Sequence, residues 1–463
     1  MSFLNAQAPI LVVVLPLLAA PILSVLGNGR LAGLLCFAVV ALQSLLAVSL
    51  VGQTLDGDVI SYALGNWAPP IGIEYRIDLL SAVMASLIAI SAALVAWFLP
   101  TAVADEIAPG DRPRFYAAFL LCVAGLTGIV VTGDLFNVFV FLEIASLSTY
   151  VLIAAGAGRD RRALTAAFDY LILGAVGATF IVIGIAFLYV ATGTLNMADL
   201  GQRLPGAGRR AVVVGGSFLF VGLALKAAMA PLHRWLPNAY AYAPTAVTTF
   251  LAMTATKVAL YLMLRLSVLV FDTAGEIGRV NFAAVMPPIG LAMLLFASAL
   301  AVRERDLKRL LAYSSIANLG LMLIALGLGG VAGITAALVN LLNHAAIKGG
   351  LFTATAAIVA RHGNARFETL AGLSRTMPVT FLCLLVGGLA LIGVPLTAGF
   401  VSKLSVIRVA LDLGDWIVAG GILLTSLITV VYVWRIVEAG MLGQPAEAGA
   451  GMPGPCSCCP WRS

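Results

Sequence analysis

Long apolar runs alternate with short polar loops along almost the whole chain. An α-helix needs about 20 apolar residues to cross the hydrocarbon core of a bilayer. We count 13 such runs, at roughly 7–27, 31–52, 78–99, 115–132, 134–156, 163–191, 212–236, 241–271, 282–302, 307–328, 331–360, 378–412 and 416–441. The pattern predicts an all-α polytopic membrane protein with about 13 transmembrane helices.

Composition supports this prediction and argues against an ordinary soluble protein or a nucleic-acid-binding protein. Of the 463 residues, 61% are hydrophobic and only 10% are charged, whereas about a quarter of the residues in soluble domains are charged. The net charge of +6 lies mostly in short loops and forms no basic patch interleaved with aromatic residues. We therefore expect the lipid bilayer as surroundings and no nucleic-acid partner.

The distribution of cations predicts the orientation of the chain. If the N-terminus lies outside, the inner loops and their margins hold 15 lysines and arginines, while the outer loops hold five. Inner loops of membrane proteins carry such an excess of positive charge. We therefore expect a multi-pass protein of the bacterial inner membrane, with its N-terminus outside and its C-terminus in the cytoplasm.

Two predicted spans contain a proline near a lysine. Pro231 follows Lys226 by five residues, and Pro395 precedes Lys403 by eight. A proline inside a helix removes a hydrogen bond and kinks or breaks the helix. Because these spans are five apart, they suit two inverted five-helix repeats with broken helices at matching positions; two ordinary proline kinks are the alternative. The predicted division is 1–111 (helices 1–3), 112–272 and 273–442 (the two repeats), and 443–463 (a disordered cytoplasmic tail).

The lysines are concentrated in the apolar runs. The chain has five, and Lys226, Lys257, Lys348 and Lys403 all lie in predicted spans, whereas Lys308 lies in a charged loop. A lysine at the centre of a bilayer costs roughly 2.5–3.5 kcal/mol on insertion scales. Intramembrane ionisable groups of this kind commonly line ion pathways, so these four residues are candidates for a proton or cation pathway.

Two further ionisable residues extend this predicted pathway. Glu143 is the only acid deep inside a span, and His344 lies four residues before Lys348, on the same helix face. Four of the six candidates also have a structural interpretation. Glu143 could form a static salt bridge, Lys257 could reach a membrane interface, His344 could be a hydrogen-bonded structural residue, and Lys403 could cap carbonyls freed by the helix break.

No catalytic or cofactor motif accompanies these residues. The sequence has no GxGxxG after a strand, no Walker A motif, no paired CxxC and no HExxH. Cys456, Cys458 and Cys459 crowd the end of the chain, but no histidine or fourth cysteine completes a zinc site there. We therefore expect no cofactor and no metal site, and a transporter subunit rather than an enzyme.

Five motifs in order resemble the antiporter-like membrane subunits, which include large subunits of Mrp-type sodium/proton antiporters, three subunits of respiratory complex I and membrane-bound hydrogenase subunits. The motifs are DLFNVFVFLEIASLSTYVL, LKAAMAPLHRWLPNAYAYAPTAVTTFLAMTATKVALYLMLR, LKRLLAYSSIANLG, NLLNHAAIKGGLF and GVPLTAGFVSKL. The resemblance covers residues 1–442 and is strongest to the D-type large subunits of the Mrp antiporters.

The resemblance implies a role for five of the six candidates, all except Lys348. Glu143 and Lys226 would form the ion pair of a first half-channel, Lys257 and His344 would carry protons laterally, and Lys403 would exchange them with one side. The protein would be the proton-translocating subunit of a multisubunit Na+/H+ antiporter, with other membrane subunits, protons and Na+ or another monovalent cation as partners. The alternative is a proton-pumping subunit of a redox-driven complex of the complex I or hydrogenase type; a purely structural scaffold is a third.

The sequence departs from the family pattern at one internal position and at its end. Members usually have a basic residue before the tyrosine of the sixth span, where this chain has Asp169 before Tyr170. Asp169 could pair with one of the arginines just before that span. Members also usually continue into a fourteenth helix, whereas this chain continues into a Gly/Pro-rich segment, so docking to the next subunit could differ.

Overall fold

The prediction of a polytopic, all-helical membrane protein is confirmed. A computed structural model describes residues 2–271 and 282–443. Within these ranges, eleven helical segments are long and apolar enough to cross a membrane. The other two predicted spans, 212–236 and 378–412, are each divided into shorter helices, so the count of 13 stays a prediction.

Long helices make up nearly all of the described chain. In order, the α-helices are α1 (Ser2–Val25), α2 (Gly29–Thr54), α3 (Leu79–Glu106), α4 (Arg112–Val131), α5 (Leu135–Ala154), α6 (Arg162–Thr192), α7 (Met197–Arg203), α8 (Arg209–Lys226), α9 (Trp235–Tyr242), α10 (Thr245–Met253), α11 (Ala255–Leu266), α12 (Phe282–Arg303), α13 (Leu307–Leu328), α14 (Gly330–His362), α15 (Leu373–Thr376), α16 (Pro378–Ile392), α17 (Ala398–Asp412) and α18 (Trp416–Leu442).

Two helices are interrupted where the sequence places a proline. Between α8 and α9 the chain leaves the helical conformation, with Pro231 in the interruption and Ala228 at a φ of 54°. Between α16 and α17, Pro395 is followed by Leu396 at a φ of 73°. Positive φ is unfavourable for residues other than glycine, so surrounding contacts must hold both interruptions in place.

A third interruption lies between α10 and α11, at a point where the sequence has no proline or glycine. Thr254 has φ −124° and ψ −60°, and its Oγ1 donates a hydrogen bond to the carbonyl of Phe250 at 2.8 Å. A threonine hydroxyl that bonds back to the carbonyl four residues earlier tends to bend a helix. The predicted span 241–271 is therefore a bent helix and not a straight one.

A short hairpin is the one non-helical element with regular pairing in the described residues. Strands β1 (Ile60–Ala63) and β2 (Glu74–Ile77) pair antiparallel between α2 and α3, with Ile60 opposite Ile77. The segments ISYA and EYRI are rich in β-branched and aromatic residues, which favour strands. Each strand is only four residues long, so neither stands out as an apolar run in the sequence.

The same local arrangement occurs twice along the chain. Asp134 accepts a hydrogen bond at the N-terminus of α5 and forms a bridge with Asn196; Asp306 does the same at α13 and bridges Arg366. Asn196 follows α6 and precedes the divided helix α8–α9, and Arg366 follows α14 and precedes the divided helix α16–α17. Residues 112–271 and 282–442 therefore share one order of elements. The predicted tail after Gly443, with its cysteines, lies outside the described residues.

Candidate functional site

Lys226 is the last residue of α8, directly before the first interruption, and its side chain contacts α5. Its Nζ donates a hydrogen bond to Ser146 Oγ at 2.6 Å. Ser146 lies three residues after Glu143, hence one helical turn away, and Glu143 acts electrostatically on Lys226. The direct Glu143–Lys226 ion pair that the family resemblance implies is not among the ion pairs of the described residues, and the ammonium group is bonded to Ser146 instead.

Glu143 forms no ion pair within the described residues. Its Oε1 is buried and has no hydrogen-bond partner in the described residues. A buried carboxylate oxygen without a partner carries an energetic cost. The carboxylate is thus close enough to influence Lys226 and is not locked in a salt bridge.

Lys257 lies just after the bend in the helix formed by α10 and α11. The residue is fully buried, and its Nζ donates to the backbone carbonyl of Ala252. The bend at Thr254 leaves this carbonyl free to accept a side-chain donor. Lys257 therefore does not reach a membrane interface, as one interpretation of the sequence proposed, but stays inside the bundle.

His344 and Lys348 lie on one face of α14, as their spacing predicts, and both are fully buried. Lys348 Nζ donates to the carbonyl of Leu311 at 2.8 Å and to Ser314 Oγ. His344 is within electrostatic range of Lys257 and Lys348, and neither of its ring nitrogens has a hydrogen-bond partner in the described residues. Three basic side chains thus meet in the interior, without a hydrogen bond that fixes the imidazole.

Lys403 closes the second interruption. Its Nζ donates to the carbonyls of Leu391 and Ile392, the last two residues of α16, at 2.9 and 2.8 Å, and to Ser426 Oγ at 3.0 Å. These are carbonyls that the helix break leaves without an intrahelical donor. The capping role that the sequence offered as an alternative is therefore present in the structure.

Lys308 was wrongly placed in a charged loop. It is the second residue of α13, it is only 7% exposed, and its Nζ donates to the carbonyl of Ala243 at 2.8 Å. The N-cap signal of Asp306, one residue before the helix, could have identified this position. A charged cavity of about 710 Å³ opens beside it and also borders Glu106, Arg159 and Thr245.

Arginines and lysines have different partners in this protein. All six ion pairs in residues 2–271 and 282–443 involve an arginine, such as Arg159 with Glu106 and Arg265 with Asp78. The five lysines donate instead to carbonyl or hydroxyl oxygens. A neutral acceptor can hold an amine in either protonation state, whereas an ion pair favours only the charged one.

Asp169 remains outside these pairs. Of the arginines near the start of α6, Arg159 pairs with Glu106 and Arg162 with Asp160. No ion pair of Asp169 occurs among the described residues, so the pairing that the sequence suggested is not formed. No cluster of three or more His, Cys, Asp or Glu side chains that could hold a metal ion occurs in the described parts of the chain.

Comparison with known proteins places this arrangement in a family. The family model described as NADH:quinone oxidoreductase/Mrp antiporter, TM matches residues 132–429. The N-type subunit of NADH-quinone oxidoreductase from Desulforudis audaxviator is 38% identical over 451 residues, covering 96% of this chain and 89% of the relative. The D-type subunit of the Na(+)/H(+) antiporter from Bacillus subtilis is 28% identical over 442 residues, covering 95% and 87%.

Two solved structures share the fold over nearly the whole chain. A chain of the membrane-bound sulfane sulfur reductase, an archaeal respiratory membrane complex, matches with a TM-score of 0.88 at 33% identity, covering 96% of this chain and 91% of that one. A chain of the Mrp complex from Dietzia sp. matches with a TM-score of 0.87 at 31% identity, covering 96% and 81%.

Proposed function

Because this chain belongs to the NADH:quinone oxidoreductase/Mrp antiporter membrane family, we propose that it moves protons through a relay of buried Glu, Lys and His side chains. In this proposal the chain is the proton-translocating subunit of a multisubunit monovalent cation (Na+)/H+ antiporter. Protons would pass along the interior of the bundle, and the exchanged cation would be moved by the assembled complex.

The observation that carries this proposal is the cluster of Lys257, His344 and Lys348. All three are fully buried, and no carboxylate pairs with any of them in the described residues. Keeping several like charges together inside a membrane is costly, so protons that enter such a cluster are readily passed on. Neither ring nitrogen of His344 has a hydrogen-bond partner in the described residues, and an imidazole ring can accept a proton at one nitrogen and release one from the other.

The groups at the two helix breaks serve as the ends of the relay. Glu143 influences the charge of Lys226 through space, and Ser146 holds the ammonium group. Lys403 exchanges protons with one aqueous side from the second break. The shared order of elements in 112–271 and 282–442 supports assigning these ends to two inverted repeats, because matching broken helices mark the ion sites of such proteins.

We further propose a place for the protein in the bacterial inner membrane, with its N-terminus outside. The excess of cations in the inner loops supports this orientation. Other membrane subunits are its partners, since both similar solved structures are multisubunit membrane complexes.

A second candidate is a proton-pumping subunit of a redox-driven complex. It is favoured by one observation: the NADH-quinone oxidoreductase relative is 38% identical, against 28% for the Bacillus subtilis antiporter relative. The relay would be the same in that case, and a partner would supply the electrons.

The proposal is tested with the complex that purifies with this chain, reconstituted in liposomes. Sodium-gradient-driven proton movement is measured for the wild type and for Lys257→Met, with Arg408→Met, an exposed cation on α17, as the control. We expect Lys257→Met to lose proton movement and Arg408→Met to keep it. Full activity of Lys257→Met would contradict the relay. Proton movement driven only by electron donors would establish the second candidate.

A further inference from the structure

Arg265 is a buried cation that the relay does not use. It lies eight residues after Lys257 on α11, with Tyr261 midway, so the three side chains share one helix face. The Arg265 side chain is 1% exposed. Its Nη1 donates to Asp78 Oδ2 at 3.0 Å and to Ser81 Oγ at 2.8 Å.

A chain of polar groups connects this arginine with the surface. Tyr261 OH lies 3.0 Å from Ser81 Oγ, and Ser81 Oγ donates to Asp78 Oδ1 at 2.8 Å. The Asp78 side chain is 30% exposed at the start of α3. Polar groups therefore run from the aqueous edge of the bundle to Tyr261, one helical turn from Lys257.

The charge of Asp78 is held in place by the same contacts. Burial by itself would raise the pKa of this carboxyl, but the charge of Arg265 and the hydrogen bonds from Ser81 and Arg265 lower it below its ordinary value. Arg265 also donates through Nη2 to the carbonyl of Arg76 at 3.2 Å, while its Nε has no partner in the described residues. The guanidinium group is thus held by Asp78, Ser81 and the Arg76 carbonyl, beside the polar groups that lead from the surface to Tyr261.

A fixed arginine in such a position obstructs cations. Arginine stays protonated under all physiological conditions, and a positive charge in the wall of a narrow path raises an electrostatic barrier against protons and cations. A neutral residue here would leave hydroxyl and carboxylate groups that connect the surface with the helix face of Lys257.

We propose that Arg265, anchored by Asp78, is an electrostatic plug that closes a polar path between Lys257 and the aqueous face next to α3. This inference rests on the proposed function in one respect, the ability of Lys257 to carry a proton. The plug would prevent protons from leaking out of the relay at the end of α11, so that they leave only through the intended exchange site.

The competing explanation is that Arg265 only ties α11 to α3. A structural tie and a plug differ in their dependence on charge and on Lys257. Removing a tie loosens the protein in any background, whereas removing a plug opens a leak that needs Lys257 as its inner end.

The experiment measures passive proton leak in liposomes that hold the full complex, with no sodium gradient. We expect Arg265→Gln to raise the leak about tenfold or more, because charge in a cleft changes ion access by such factors, and Arg265→Lys to stay at the wild-type level. Arg265→Gln combined with Lys257→Met should return the leak to the wild-type level. A leak that persists in this double variant, or no leak in a folded Arg265→Gln protein, would overturn the plug.

Arg265→His provides a second variant in which one folded protein is measured in both charge states. Asp78 and Tyr261 are the titratable groups whose charges act on this position. The leak should fall as pH drops below about 6.5, where imidazole becomes positive, although the proton concentration rises. A leak that rises steadily with acidity would contradict the plug. Neither result depends on antiport by the wild type, so failure of the plug is distinguishable from failure of the proposed function.

Discussion

The two divided helices place a lysine at the break in opposite ways. At the first break, Lys226 ends the helix before the interruption and makes one hydrogen bond, to Ser146, with the Glu143 carboxylate nearby. At the second, Lys403 follows the interruption and makes three hydrogen bonds, two of them to main-chain carbonyls. The first lysine thus has an acid nearby that acts on its charge, whereas the second is held mainly by hydrogen bonds to backbone carbonyls. This difference suggests that the protonation of Lys226 responds to the nearby Glu143 carboxylate. The ammonium group of Lys403, in contrast, is held in one position by main-chain carbonyls.

The largest effects are expected at the first break. Glu143→Ala and Lys226→Ala should each reduce proton movement by the reconstituted complex to background, because the first change removes the acid that acts electrostatically on Lys226 and the second removes the amine itself. If the two residues act in one step, as proposed, the double variant should be no worse than either single variant. Losses in the free energy of activation that simply add, measured from flux rates, would show that the two residues work separately.

Lys403 comes next, and its substitution distinguishes exchange from capping. Lys403→Ala should block turnover. Lys403→Arg should not restore it if the residue exchanges protons, since arginine does not release its proton. Lys403→His should keep partial activity with an optimum at lower pH, because imidazole titrates near neutrality.

These three variants are compared by flux against pH in vesicles. Arginine has enough donors to cap the carbonyls of Leu391 and Ile392. Full activity of Lys403→Arg would therefore show that only a capping positive charge is required, and the second break would then have no part in proton exchange.

Ser146→Ala tests whether the hydroxyl that accepts a hydrogen bond from Lys226 at the first break is needed. A hydrogen bond to a charged group contributes about 1.5–3 kcal/mol, and a loss of about 1.4 kcal/mol is a tenfold effect. We therefore expect proton flux to fall roughly tenfold. Ser148→Ala is the matched control, since Ser148 Oγ bonds only within its own helix, to the Ile144 carbonyl. Equal effects of the two changes would show that Lys226 does not depend on Ser146.

Residue chemistry and spacing were enough to predict much of this architecture. Helix length follows from apolar runs. The positions of Pro231 and Pro395 coincide with the two large interruptions, because a proline inside a helix removes a backbone hydrogen bond and kinks or breaks the helix. His344 and Lys348 share a face because four residues make about one turn. These features are local, so the sequence contains them directly.

Other features lie outside these simple patterns. The bend at Thr254 has no proline or glycine and accompanies a local hydrogen bond from the threonine hydroxyl to the Phe250 carbonyl. Ser146, the partner of Lys226, comes from a helix 80 residues away. Lys308 was assigned to a loop from its charged neighbours, although it caps the end of α9 from α13. Partners of this kind depend on how helices pack against one another, which periodicity within one helix does not determine.

The smallest effect is expected from Ser426→Ala, the counterpart of Ser146→Ala at the second break. Ser426 Oγ is one of three acceptors around Lys403 Nζ, and the carbonyls of Leu391 and Ile392 remain when it is removed. An ammonium group has three donors, so one is left without this acceptor, and we expect a loss of about 1 kcal/mol or less. Proton flux measured side by side for Ser146→Ala and Ser426→Ala decides the comparison. If Ser426→Ala were the more damaging, the backbone carbonyls would not be holding Lys403, and the second break would depend on a side chain just as the first one does.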